Sequence, residues 1–196
     1  ENARISAGEV RLRGRDLLLL PEAEMRKVRG EEIAMVFQDP HSFLNPVLKI
    51  GSQLDETIRT HRPDMNRAQA EARAIELLSL VRIPDPAKVL RRYPHQLSGG
   101  MAQRVGIALA LSSEPALLIA DEPTSALDLT IQAQIVKLLL GLREVLRLSI
   151  LLITHDLSLV SNIAERVYVM CRGKVVEEGP VDRVYQTPSE SYTRML

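Results

Sequence analysis

The sequence predicts an α/β domain, a parallel sheet with helical crossovers, interrupted by an inserted α-helical subdomain. Three observations carry this expectation. Residues 33–37 are a compact apolar run of strand length, and 116–120 are continuously apolar, the pattern of a strand buried on both faces of a parallel sheet. After residue 113 the chain alternates strand-like and helix-like segments, as crossover connections require. Between the two runs, residues 39–112 lose the strand pattern and show helical periodicity between proline-containing joints. The expected organisation is therefore a first part of the sheet core over 1–38, the helical subdomain over 39–112, a second part of the core over 113–180, and a tail over 181–196.

Residues 8–13 alternate weakly and predict a short strand, followed by a polar turn at Gly14-Arg15-Asp16. Residues 21–29 predict a short charged helix with Pro21 in its first turn, where a missing N–H is harmless. Residues 33–37 form a strand with Gln38 at its end, and Asp39-Pro40 breaks it. Residues 68–81 are helical, with Ala72, Ile75, Leu78 and Val81 on one face, and proline joints lie at Pro84, Pro86 and Pro94. Residues 101–111 form a helix with small side chains at Ala102, Gly106, Ala108 and Ala110. Residues 130–146 are amphipathic through Ile131, Ile135, Leu138, Leu139, Leu142 and Val145. A second buried strand over 149–153 and a short helix over 157–164 follow. Residues 167–170 and 174–176 close the fold as a hairpin around Arg172-Gly173.

Composition narrows the function. The 196 residues carry 25 Lys and Arg against 25 Asp and Glu, a balance that argues against a dedicated nucleic-acid binder. The single cysteine, Cys171, excludes an internal disulfide and fits a bystander thiol in a reducing compartment. The apolar runs fall far short of the ~20 residues a membrane helix needs, so membrane association is expected only through a partner. No signal peptide is visible at Glu1, and a start other than Met leads us to expect that the natural beginning is missing.

Strands in such sheets deliver functional groups at their carboxyl ends. Three strand ends here carry Gln38, Asp121-Glu122 and His155. Asp121 offers the carboxylate oxygen that Mg²⁺ prefers. Glu122 is positioned to aim at a nucleophilic water, and Pro123 is expected to hold it extended. His155 supplies a hydrogen bond for a terminal phosphate, and Gln38 a group to orient water or complete the Mg²⁺ shell. Together these are a metal site, a water positioner and charge stabilisers for phosphoryl transfer. Upstream, Ser98-Gly99-Gly100 opens the helix ahead of Met101, and a helix N-terminus with no Cβ in the way accepts an anion.

In this order the segments resemble the ATP-binding subunits of ABC transporters along nearly the whole chain. Leu97-Ser98-Gly99-Gly100-Met101 resembles the signature loop, with Met where Gln is commoner. Residues 117–122 resemble the Walker B strand, Ser125-Ala126-Leu127-Asp128 the D-loop, Gln38 the Q-loop glutamine and His155 the switch histidine. Phe37-Gln38-Asp39-Pro40, Leu44-Asn45-Pro46 and residues 50–53 resemble the peptide and nickel importer branch; the 188–196 tail does so with Glu190-Ser191 in place of His-Pro. The resemblance implies a P-loop NTPase-like fold and a subunit that binds and hydrolyses ATP with Mg²⁺ to power import of peptides or similar solutes. Glu122, His155 and Gln38 would be catalytic. Ser98, Gly99, Gly100, Met101, Asp128, Gln38 and His155 would contact nucleotide, and Asp121 with Gln38 the metal.

It also implies partners: a second ABC ATPase subunit facing head to tail, transmembrane permeases, and indirectly an extracytoplasmic solute-binding protein, at the cytoplasmic face of the inner membrane. The Gly-x-x-x-x-Gly-Lys-Ser/Thr loop of such proteins occurs nowhere in this sequence. The expected fold is therefore incomplete at its N-terminus, with apolar faces of the 116–120 and 149–153 strands uncovered and ATP binding by the chain alone poor. A soluble ABC-type ATPase of DNA repair or translation, and a catalytically silent half-site donor, are the other readings.

Overall fold

The computed structural model describes residues 5–39, 43–125 and 127–196. The expected break at Pro40 and the Ala126 position of the D-loop therefore lie outside the described residues. Arg11–Leu12 (β1) and Arg15–Asp16 (β2) form a small hairpin whose turn residues Arg13 and Gly14 have φ of 49° and 81°. Two positive φ values close the turn in two residues, so Arg15 and Asp16 pair as strand instead of turning as expected, and the predicted 8–13 strand is shorter. Glu22–Lys27 (α1) starts after Pro21, which is its N-cap, and runs into a π-helical turn over Val28–Glu32.

The sheet that positions the site is parallel, in order β3, β4, β5: Ile33–Val36, Leu117–Asp121 and Ser149–Ile153. Its register places Val36 beside Ala120 and Ala120 beside Leu152. Among the described residues, the helices between β3 and β4 include Ile50–His61 (α2), Arg67–Leu80 (α3), Pro86–Val89 (α4) and Gly99–Leu111 (α5). In α2, Ile50, Leu54 and Ile58 recur every four residues and are fully buried. A capping box of Asn66 and Gln69 starts α3. The buried stripe of α3 runs through Ala70, Ala74, Leu77 and Leu78, whereas Ala72, expected on that face, is exposed. The rest of the predicted face holds: Leu78 and Val81 are fully buried and Ile75 packs against the core.

Leu129–Leu146 (α6) links β4 to β5 and buries Ile135, Leu138, Leu139 and Leu142 against a core that includes Val36 and Leu118. Val145, expected on the same stripe, is 69% exposed. At 1.5 Å per residue α6 is roughly 27 Å long, against about 16 Å for a five-residue strand, so the helix outreaches the sheet by about two turns, and Leu129 and Val145 near its two ends are exposed.

The expectation of a second buried strand over 149–153 is corrected. Leu118 and Ala120 are fully buried on one face, but Met35, Leu151 and Ile153 are exposed on the other. The reason is layering: α5 and α6 pack with the covered face, and the core they share with it takes in none of Met35, Leu151 and Ile153. β5 is thus half-covered, as the expectation of an uncovered apolar face requires. Leu157–Ile163 (α7) leads to an antiparallel pair, Arg166–Cys171 (β6) and Lys174–Pro180 (β7), around Arg172 and Gly173 at φ of 49° and 77°. Val181–Gln186 (α8) and Ser191–Met195 (α9) end the chain. No described helix is long and apolar enough to cross a membrane.

Candidate functional site

Parallel register gathers the polar strand ends at one edge of the sheet. Gln38 lies two residues beyond β3 and is exposed; half-buried Asp121 ends β4 and pairs with Ile153; His155 lies two residues beyond β5. Glu122 follows Asp121 with φ of 45°, and its N–H donates to the Ile153 carbonyl at 2.8 Å. The extended Glu122 expected from Pro123 is therefore corrected. Proline excludes the right-handed helical region for its predecessor, and the bond to Ile153 turns the chain left-handed instead. The Ser125 N–H and hydroxyl both reach the Glu122 carbonyl, at 3.3 and 3.2 Å, closing this turn.

That turn delivers the Glu122 carboxylate to His155, with Oε1 at 2.8 Å from Nδ1. The side chain of Glu122 is 25% exposed and that of His155 75%. The hydrogen bond that the His155 ring N–H donates to Glu122, then the charge of Glu122, raises the His155 pKa above 6.5. A raised histidine pKa contributes stability that is complete below 6.5 and lost as pH rises through the folded value. Titration followed by NMR is expected to place His155 above its ordinary value, and Glu122→Gln to return it toward that value. An unshifted His155 in the unsubstituted protein would show that the pair does not form.

A cavity of about 70 Å³ opens beside the pair, lined by Glu122, Thr124, Ser125, Gln132, Thr154, His155 and Asp156. Gln132 holds its floor, donating to the Thr124 and Leu127 carbonyls at 3.0 and 3.1 Å. Asp156 accepts from the Leu159 N–H at the start of α7, and its own N–H donates to Thr154 Oγ1 at 3.1 Å. Sequence reasoning missed Thr124, Gln132, Thr154 and Asp156. Only Asp156 had a signal, an N-cap residue three before Leu159.

The second group of expected residues sits at the starts of α5 and α6. Ser98 caps α5, accepting from the Met101 N–H at 3.3 Å, and Asp128 caps α6, accepting from the Ile131 N–H at 3.0 Å. A Cβ on Gly100 would stand 2.7 Å from Ile131 Cγ2, and one on Gly99 3.3 Å from Leu127 Cδ2. Both glycines, read in the sequence for phosphate approach, also allow α5 to meet the start of α6. Asp128→Ala is expected to cost about 1 kcal/mol of stability, checked by denaturant unfolding.

Among the described residues no cluster of three or more His, Cys, Asp or Glu is placed to hold a metal. A cation that keeps several waters and takes one carboxylate plus phosphate oxygens, as Mg²⁺ does, fits Asp121.

The fold matches that of ATP-binding cassettes. The structure is similar to that of a dimeric ATP-binding cassette in a post-hydrolysis state bound to ADP and Pi. The TM-score is 0.79 at 30% identity, covering 90% of this chain and 74% of that one. It is also similar to cbiO1 of Clostridium perfringens, part of the transporter complex cbiONQ, with TM-score 0.75 at 27% identity over 93% of this chain and 69% of that one. Residues 1–125 match the family described as ABC transporter, and the chain belongs to that family. In sequence it is 52% identical to a putative peptide import ATP-binding protein of Brucella abortus, over 100% of this chain and 58% of that protein. It is 51% identical to the oligopeptide transport ATP-binding protein OppD of Bacillus subtilis, over 95% of this chain and 52% of that protein. The chain thus spans little more than half the length of the curated relatives it matches.

Proposed function

We propose that this chain provides the catalytic strand ends and the signature loop of an ATPase that powers peptide import. The observation that carries the reading is the Glu122–His155 contact at the carboxyl edge, next to Asp121. Glu122 acts as general base, taking the proton of the water that attacks the γ-phosphorus. His155 donates a hydrogen bond to a γ-phosphate oxygen, and Gln38 orients the water. Asp121, with Gln38, would hold Mg²⁺, which when bound neutralises charge on the phosphate oxygens.

Ser98, Gly99, Gly100 and Met101 open α5 and present its N-terminal N–H groups to the nucleotide of a second ATPase subunit, with Asp128 at the same junction. A phosphate-binding loop from outside these 196 residues completes the pocket. The names of the relatives support peptides as the solute; permease subunits and a solute-binding protein, at the cytoplasmic membrane face, are the partners that this reading calls for. The helical subdomain over 39–112 would then be an insert in the ATPase core. The test is Mg-ATP hydrolysis by the assembled transporter in vesicles, with and without a peptide-loaded binding protein. Peptide-dependent hydrolysis and uptake support the reading; hydrolysis indifferent to every peptide supplied overturns the assignment of solute.

A further inference from the structure

Gln103 lies in the second turn of α5 and is 1% exposed, yet neither its Nε2 nor its Oε1 has a hydrogen-bond partner. Burying a side-chain amide with both ends unpaired is costly, and an apolar residue of the same size would hold this site better. A permanently orphaned amide in the core therefore needs an account in another state of the protein.

The topology says what it faces. A short connection joins α5 to β4, so the C-terminal end of α5 lies at the amino edge of the sheet and its start at the carboxyl edge. Leu111 ends the helix, eight residues beyond Gln103, which puts Gln103 roughly 12 Å up the sheet at 1.5 Å per residue. At about 3.3 Å per strand residue that height is the end of β3, where Val36 stands beside Ala120. Laterally, Gly106 is one turn from Gln103 on the same helix face. A Cβ on Gly106 would strike the Phe43 ring, and Phe43 packs on Phe37 with centroids 6.2 Å apart. Gln103 is thus placed, by its height on the helix and by its neighbour Gly106, near the segment that leaves β3 through Phe37 and Gln38, whose side chains are exposed.

We propose that Gln103 is a positioning residue for Gln38: its amide, unpaired in this state, pairs with the peptide groups of residues 37–39 when nucleotide binds. Helix α5 begins at Ser98-Gly99-Gly100, so the same bond joins the start of the signature helix to the water-orienting turn. The inference rests on the nucleotide reading above.

The test uses Gln103→Met, which keeps the volume and removes the amide, with Gln103→Leu as a second variant. Without nucleotide, the unfolding midpoint of either variant is expected to equal or exceed that of the unsubstituted protein. A lower midpoint in both overturns the inference, because the amide would then be paired at rest. With Mg-ATP, hydrogen exchange at residues 37–39 is expected to slow roughly five- to tenfold in the unsubstituted protein, the worth of one hydrogen bond, and not in the variants. Equal protection in all three, or none in the unsubstituted protein, also overturns it. The nucleotide reading is judged separately, by whether the unsubstituted assembly turns over ATP.

Discussion

Glu122→Gln in the assembled ATPase is expected to lower turnover by roughly 10²–10⁴, the usual contribution of a positioned general base. The substitution is nearly isosteric. A carboxamide still accepts a hydrogen bond from the His155 ring, so the 2.8 Å contact and the left-handed turn at Glu122 survive. What it cannot do is accept a proton from water. The loss therefore falls on the chemical step and not on binding, and ATP is expected to hold the two subunits together in the variant. Rapid-quench hydrolysis measures the step, and equilibrium ATP binding is the control. Turnover within twofold of the unsubstituted protein would remove Glu122 from the role. A fall in ATP affinity matching the fall in turnover would assign it to binding.

Much of that site was legible because its residues sit at ends of strands that the sequence marks clearly. Residues 33–37 and 116–120 announce themselves as apolar runs, and parallel pairing brings whatever follows them to one edge. The Glu122–His155 contact was not legible, because 33 residues separate the two and the φ of 45° that aims Glu122 depends on the bond to Ile153. Helix α2 had a readable stripe in Ile50, Leu54 and Ile58, but Lys49 supplies no side-chain cap to mark its start. Burial of β5 failed for a different reason: a continuous apolar run reports what a strand can bury, not whether a covering layer is present, and Leu151 and Ile153 are exposed.

Glu177 went unremarked because Glu177-Glu178 reads as a solvated strand face. Strand alternation splits the pair. Glu178 points outward to Arg166 at 3.2 Å, while Glu177 is 6% exposed and takes hydrogen bonds from the tail. The Ser189 N–H and hydroxyl reach its Oε1 at 2.8 and 2.7 Å, and the Glu190 N–H reaches Oε2 at 3.2 Å. These donors, Ser189 first, pull the Glu177 pKa from 4.5 to about 2. A depressed carboxylate contributes stability that is present above 4.5 and lost as pH falls toward 2. Glu177→Gln removes the charge and turns an amide donor toward N–H groups. It is expected to speed hydrogen exchange at Ser189 and Glu190 by about a hundredfold at neutral pH, because bonds to a charged acceptor are the strong ones. The unfolding midpoints of the two proteins should differ most above pH 4.5 and converge as pH approaches 2. A difference that does not change with pH would mean that Glu177 holds the tail by shape and not by charge.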